Sequence, residues 1–245
     1  MRTSCRSWAG RRPFRNSSPT PGVNWPSSGG VTVVLGNRGR SVTSTIFGPL
    51  ARTLVRAGVH PDAVTLTGTL LVSVAALWLF PTGHLAAGAL IIGVLAFTDS
   101  VDGLMARERG GSSAFGAFLD STLDRLSDAA VFGGLTWYMT TSAPAAWQLP
   151  GLGVGLACLV TGMLVSYVRA RAEGLGMRAS VGIAERADRL VVALVAALAV
   201  GLGAPDGVLV LALGVLAAAS AVTVVQRVLT VRGQARQMEA GDEGN

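Results

Sequence analysis

The chain has 245 residues, half of them hydrophobic and only 14% charged, with 20 basic and 14 acidic residues that give a net charge of +6. This composition excludes an ordinary soluble domain and indicates a membrane protein. All the basic residues are arginines, and they flank apolar segments. We therefore attribute the positive charge to membrane orientation and to attraction of anionic lipid or phosphate, and we expect no nucleic-acid partner.

Residues 1–40 are rich in Ser, Pro, Gly and Arg and contain no acidic residue. They lack the sustained apolar run that a secretory signal requires. We expect a disordered or mis-assigned N-terminal extension that is dispensable, although a transit peptide also fits this composition.

Residues 43–58 form an amphipathic pattern. Apolar side chains recur at helical spacing, while Arg52 and Arg56 share another side. The segment is predicted to be a juxtamembrane helix that lies on the cytoplasmic leaflet. Gly58 ends it, and Pro61 and Asp62 begin the next helix, where both residue types are favoured in the first turn.

Six apolar segments follow, each near the length that spans hydrocarbon. They cover residues 64–80, 85–105, 117–140, 151–168, 190–204 and 207–226. The predicted fold is an all-α polytopic membrane protein with six transmembrane helices. Its helical domain covers residues 61–232, and a polar cytoplasmic tail covers residues 233–245.

The arginines predict the topology. The connections near 81–84, 141–150 and 204–207 contain none, whereas every other connection and both flanks contain several. By the positive-inside rule, both termini are cytoplasmic in a multi-pass protein of the cell (plasma) membrane.

Four aspartates lie at the cytoplasmic ends of the second and third apolar segments. Asp99 and Asp102 are spaced i,i+3, and Asp120 and Asp124 are spaced i,i+4, so each pair shares one helix face. Two such helices could hold two divalent cations between carboxylates, as phosphate chemistry requires. The alternative is that the aspartates cap helices or are simply solvated.

With the residues around them, these aspartates form the pattern D-x2-D-G-x2-A-R-x8-G-x3-D-x3-D, which resembles the signature of the CDP-alcohol phosphatidyltransferase family. The resemblance implies two Mg²⁺ (or Mn²⁺) ions, with Asp99 and Asp120 contacting both ions, Asp102 contacting one and Asp124 the other. It also implies Asp124 as the general base, CDP-diacylglycerol as the donor, and a homodimer surrounded by membrane lipids.

The same resemblance implies a site for the CDP end of the donor. The family begins its first span with Pro-(Asp/Asn)-x-x-Thr, near the nucleotide. Small residues in the signature leave room for that nucleotide, and an arginine there offers its guanidinium to phosphate. The implied residues are Asp62, Ala63, Val64, Thr65, Gly103, Ala106, Arg107, Ser113 and Gly116.

Five arginines at the cytoplasmic level suggest that the acceptor carries its own phosphate. They are Arg169, Arg171, Arg186, Arg189 and Arg227. The segments Tyr-x-Arg-Ala-Arg-Ala-Glu and Glu-Arg-x-x-Arg-Leu resemble the actinobacterial phosphatidylinositol phosphate synthases, which implies 1D-myo-inositol 3-phosphate as the acceptor. The alternatives are glycerol 3-phosphate as the acceptor, or a cation-coupled transporter with an acidic site.

Other polar side chains fall outside the pattern. Cys5 and Cys158 have neither metal-ligand spacing nor a plausible disulfide pairing. Asp128 lies one turn beyond Asp124, and we expect it to orient a neighbour such as Arg125 rather than to bind metal.

Overall fold

The computed structural model describes residues 61–108, 113–183 and 186–242, with the backbone alone at 61, 97–108 and 241–242. The predicted extension over 1–40 and the predicted juxtamembrane helix over 43–58 lie outside the described residues.

Six helices make up the described part of the chain, and the all-α class is confirmed. They are α1 (Pro61–Leu79), α2 (Leu85–Glu108), α3 (Ala114–Thr141), α4 (Ala145–Glu173), α5 (Arg186–Gly201) and α6 (Gly207–Asp242). Each predicted apolar segment coincides with most of one helix. The last helix continues past the predicted domain boundary at 232.

Local signals determine where several helices begin and end. Helix α1 starts at Pro61 with Asp62 in its first turn, where a fixed φ and a negative charge both favour helix initiation. Ser113 caps α3, because its Oγ accepts the backbone N–H of Gly116 at 2.9 Å. Gly83, with a φ of 83°, reverses the chain between α1 and α2.

Much of the outer surface is apolar. Helices α1, α4 and α6 contain stretches long and apolar enough to cross a membrane, and the described apolar part of α2 is shorter, Leu85–Ala96. Large side chains such as Leu70, Trp78 and Leu211 are more than half exposed. A surface of this kind suits hydrocarbon rather than water, so the chain is an integral membrane protein.

The helices pack in an order that differs from their order in the chain. Helix α1 packs on α2 and α3, α3 packs on α4, and α4 packs on α6, while α5 packs on α2 and α6. The contacts therefore close a ring in the order α1, α2, α5, α6, α4 and α3. Phe80, Leu135 and Leu213 are among its fully buried side chains.

The connection between α4 and α5 is bound along α6. The side-chain amide of Gln234 accepts the N–H of Arg178 at 2.9 Å and donates to the carbonyl oxygen of the same residue at 2.6 Å. Nearer to α5, Thr223 Oγ1 accepts the N–H of Ile183 at 3.3 Å. These contacts hold the connection against α6 up to Ile183, three residues before α5 begins.

Close helix contact predicts a stability effect at Gly134. A methyl group added there would overlap the backbone carbonyl of Ala76 in α1, whereas one added at neighbouring Gly133 would meet nothing within 4 Å. Backbone cannot yield as a side chain can, so we expect Gly134→Ala to destabilise the protein by about 1–3 kcal/mol. Gly133→Ala, the matched control, should change stability by no more than about 0.5 kcal/mol. Unfolding temperatures of the two variants in detergent would test this, and equal values would contradict it.

Candidate active site

A cavity of about 460 Å³ lies among α1, α2, α3 and α5. Its polar lining comes mainly from Asp120, Asp124 and Ser127 of α3 and from Arg186 of α5. The remaining wall is largely apolar, with Val72, Ile92, Leu95, Val131, Leu190 and Leu194. The cavity therefore joins a charged region to a region suited to hydrocarbon.

Two of the four predicted metal ligands have described side chains. Asp120 is exposed and Asp124 is partly buried, and both line the cavity. Asp99 and Asp102 lie in α2, where only the backbone is described. Among the described side chains, no three His, Cys, Asp or Glu converge as a metal site. The four-carboxylate site thus stays a prediction, with half of its ligands at the cavity.

Arg186 connects three side chains of α3. Its Nη1 lies 2.9 Å from Asp124 Oδ1, its Nε donates to Asp128 Oδ1 at 3.1 Å, and its Nη2 donates to Ser127 Oγ at 2.9 Å. Asp124 and Asp128 are one helical turn apart, so one guanidinium spans both carboxylates. The Arg186 side chain is 30% exposed and remains open to the cavity.

Arg189 lies deeper, one turn further along α5. Only 3% of the residue is exposed, and its Nη2 lies 3.4 Å from Asp128 Oδ2. Its buried Nε has no hydrogen-bond partner among the described residues. Gly162 of α4 makes room for the guanidinium, because a methyl group there would overlap Nη1. The space beside the guanidinium, shared with Asp128 and Gly162, is only about 10 Å³, room for no more than one water molecule, so Arg189 is enclosed and does not line the larger cavity of Asp120 and Asp124.

The predicted partner of Asp128 is wrong. Arg125 donates instead to Ser166 Oγ, and its Nη2 lies 3.9 Å from Asp124 Oδ2. Asp128 faces α5 and pairs with Arg186 and Arg189. Its i,i+4 spacing from Asp124 was the available signal, because it puts both carboxylates on one face of α3. The partners on α5 depend on tertiary packing and left no local signal.

The other predicted acceptor arginines differ in their surroundings. Arg169 and Arg171 are exposed on α4, and Arg169 Nε donates to Glu173 Oε1 at 2.9 Å. Arg227 is buried in α6, where its Nε donates to the Val181 carbonyl at 2.8 Å and its Nη1 to the Val165 carbonyl at 2.6 Å. Arg186 and Arg189 therefore pair with aspartates of α3. Arg227 instead binds α6 to α4 and to the connection before α5.

Part of the predicted nucleotide site comes together where α1 and α3 begin. A methyl group added at Gly116 would lie 3.1 Å from Ser113 Oγ and 3.3 Å from Asp62 Oδ1. Gly116 thus permits the close approach of these two helix ends. Three further predicted residues lie on α1, namely Ala63, Val64 and the buried Thr65. Gly103, Ala106 and Arg107 lie on the part of α2 where only the backbone is described.

A sequence model of the family described as CDP-alcohol phosphatidyltransferase matches residues 58–231. The chain belongs to this family. The resemblance drawn from the aspartate pattern is confirmed, and the match includes all six described helices except the last part of α6.

Relatives in actinobacteria are named phosphatidylinositol phosphate synthase. The protein of Mycobacteroides abscessus is 47% identical over 194 residues, which cover 79% of this chain and 86% of that protein. The protein of Streptomyces avermitilis is 43% identical over 214 residues, which cover 84% of this chain and 86% of that protein. Both alignments extend over most of each protein.

Two crystal structures of the Mycobacterium tuberculosis phosphatidylinositol phosphate synthase have the same fold. One has CDP-DAG bound and matches with a TM-score of 0.71 at 43% identity, over 76% of this chain and 94% of that one. The other is a complex with manganese and citrate. It has the same TM-score and identity, over 76% of this chain and 88% of that one.

Proposed function

We propose that the protein transfers the phosphatidyl group from CDP-diacylglycerol to a hydroxyl of 1D-myo-inositol 3-phosphate. The acceptor oxygen forms a bond to the phosphatidyl phosphorus, the bond from that phosphorus to CMP breaks, and CMP leaves. The observation that carries the proposal is the cavity that Asp120, Asp124 and Arg186 line together, in which Arg186 Nη1 lies 2.9 Å from Asp124 Oδ1. The names of the relatives support the same reaction.

The carboxylates are proposed to hold two divalent ions, Mg²⁺ or Mn²⁺. Asp120 and Asp124 offer oxygen donors at the cavity, which is the ligand chemistry that these hard cations prefer. Asp99 and Asp102 on α2 would complete the set. When bound, the ions supply neutralisation of the pyrophosphate charge.

Asp124 is proposed as the general base for the acceptor hydroxyl. Its carboxylate lines the cavity and is oriented by the contact with Arg186 Nη1. A fixed carboxylate beside the hydroxyl takes up the proton as the new bond forms. The hydroxyl of an inositol phosphate is a poor nucleophile without such a base.

The donor is proposed to lie across the cavity. Its CDP end would contact the starts of α1 and α3, through the segment 62–65, Ser113 and Gly116, and the cytoplasmic end of α2, through Gly103, Ala106 and Arg107. Support comes from the contact between Asp62, Ser113 and the Gly116 position. The apolar wall of the cavity is suited to the lipid part of the donor.

The acceptor phosphate is proposed to bind the arginines. Arg186 contacts Asp124 and Asp128, and Arg189 contacts Asp128; a phosphate would supply acceptors for their remaining N–H groups. Arg227 would contribute from α6, and Arg169 and Arg171 from the exposed end of α4. Free inositol would offer these guanidinium groups no anionic oxygen.

The wider organisation is part of the same proposal. Residues 61–232 would form the catalytic domain with six membrane spans, and residues 1–40, 43–58 and 233–245 would be an extension, an interfacial helix and a tail. The active site and both termini would face the cytoplasm, in a homodimer in the plasma membrane. The absence of arginines from the connections near 81–84, 141–150 and 204–207, against several in every other connection and both flanks, supports this orientation.

An acceptor panel tests the proposed reaction. Purified protein with CDP-diacylglycerol and Mg²⁺ should release CMP and form phosphatidylinositol phosphate when inositol 3-phosphate is added. Glycerol 3-phosphate and free inositol should be poorer acceptors. Preference for glycerol 3-phosphate would reassign the acceptor, and no CMP release with any alcohol would favour the transporter.

Gly162→Ala is expected to weaken acceptor binding. The added methyl group would displace the Arg189 guanidinium but would meet only the end of that side chain, so the fold should persist. We expect the KM for inositol 3-phosphate to rise about tenfold, near the lower end of the roughly 10- to 100-fold expected for Arg189→Gln.

The matched control for Gly162→Ala is Gly153→Ala in the same helix, where an added methyl group meets nothing within 4 Å. Its KM values should equal those of the wild type. An unchanged KM for inositol 3-phosphate in Gly162→Ala would argue against Arg189 as a phosphate ligand.

A further inference from the structure

Asp128 lies between two arginines to which we have assigned the acceptor phosphate. Its Oδ1 accepts Arg186 Nε at 3.1 Å, and its Oδ2 lies 3.4 Å from Arg189 Nη2. Asp128 is 8% exposed, so its charge is largely shielded from water. A buried carboxylate persists only when it is paired, and each of its two oxygens faces a different guanidinium.

The two guanidinium groups need a negative charge between them. Both belong to α5, one turn apart, and like charges at that spacing repel. Asp124 contacts Arg186 but is also the proposed base and metal ligand. Asp128 lies outside the family signature and has no proposed role in metal binding or proton transfer. Its carboxylate can therefore remain paired with Arg186 and Arg189 throughout the reaction.

We infer that Asp128 is a positioning residue for the acceptor phosphate. It holds Arg186 and Arg189 side by side and so determines the affinity for a phosphate-bearing acceptor without touching either substrate. It also gives Arg186 a second carboxylate, which keeps that guanidinium from turning wholly onto Asp124. The inference rests on the proposed function and extends it to a residue that the metal and nucleotide chemistry does not use.

Two-substrate kinetics provide the first test. Asp128→Asn keeps the shape of the side chain but removes the charge that holds the arginines. The KM for inositol 3-phosphate should rise about tenfold or more, while the KM for CDP-diacylglycerol stays within about twofold. Equal rises in both KM values, or a fall in kcat alone, would overturn the inference.

Asp188→Asn is the matched control. It removes the same charge from the exposed surface of α5, between Arg186 and Arg189 in sequence. Both KM values should stay within about twofold of the wild type, since an exposed charge is weakened by water and salt. An effect as large as that of Asp128→Asn would mean that net charge, rather than positioning, matters.

A double-mutant cycle separates positioning from a general structural role. If Asp128 acts through Arg189 and Arg186, Asp128→Asn should add little to the KM change in a protein that already carries both Arg186→Gln and Arg189→Gln. Full additivity would overturn the inference. Asp128→Glu, which restores the charge on a longer side chain, should recover part of the lost affinity and serves if Asp128→Asn does not fold.

Binding of inorganic phosphate tests the inference without turnover. The wild-type protein in nanodiscs should bind phosphate about tenfold more tightly than Asp128→Asn, even if the acceptor panel reassigns the reaction. Equal phosphate affinities would overturn the inference while leaving the transferase assignment intact. Failure of CMP release in the wild type would instead overturn the proposed function alone.

Discussion

Asp124→Asn is expected to lower kcat by roughly 10²–10⁴-fold, the range that a general base contributes. The substitution removes the proposed base, a proposed metal ligand and the carboxylate that Arg186 Nη1 contacts at 2.9 Å. The amide keeps nearly the same volume, so packing in α3 should be preserved. Rates of CMP release at saturating concentrations of both substrates would measure the effect.

Two comparisons make this result specific to Asp124. CDP-diacylglycerol binding should survive Asp124→Asn better than Asp99→Asn, because Asp99 is expected to contact both ions. Arg186→Gln, which removes the partner but leaves the carboxylate, should mainly raise the acceptor KM. Turnover near the wild-type rate in Asp124→Asn would require another group to accept the proton.

Chelation of divalent ions by EDTA is expected to abolish turnover. The donor carries a pyrophosphate whose cleavage leaves charge on CMP, and metal ions held by carboxylates neutralise such charge. Addition of Mg²⁺ or Mn²⁺ beyond the chelator should restore CMP release, whereas Ca²⁺ serves as a comparison with looser coordination geometry. Full turnover in EDTA would contradict the two-metal proposal.

Asp120→Asn provides a variant for the metal experiment. The exposed Asp120 carboxylate lines the cavity, and the proposal gives it contacts to both ions. The variant should need a higher Mg²⁺ concentration for half of its maximal rate. Gly153→Ala should show the wild-type requirement. The same requirement in all three proteins would remove Asp120 from the ligand set.

The positions of the helices could be predicted from the sequence because their signals are local. A span needs about 20 apolar residues, and the starts of α1 and α3 carry Pro61, Asp62 and Ser113 in or next to the first turn. The aspartate pattern could also be recognised from the sequence, since it falls within 26 consecutive residues. The end of α6 could not be predicted in this way. The helix continues to Asp242 through polar residues, which the apolar pattern does not mark.

The partners within the site could not be predicted in the same way. Asp128 and Arg186 are 58 residues apart, and their contact depends on how α5 is placed by α2 and α6. Arg169 and Arg189 both lie at span ends, yet one is exposed and the other is buried. Packing between helices determines which face of each helix turns inward. It also determines that Gly162 of α4 lies against the Arg189 guanidinium.

The binding of the α4–α5 connection along α6 has a consequence for how the protein is made. The chain emerges from the ribosome in order, so α1 to α3 and their carboxylates are present early. Thr223, Arg227 and Gln234, which bind that connection, are synthesised last. Until α6 has been synthesised, the start of α5 therefore depends on its packing against α2 and on the contacts of Arg186 and Arg189 with α3.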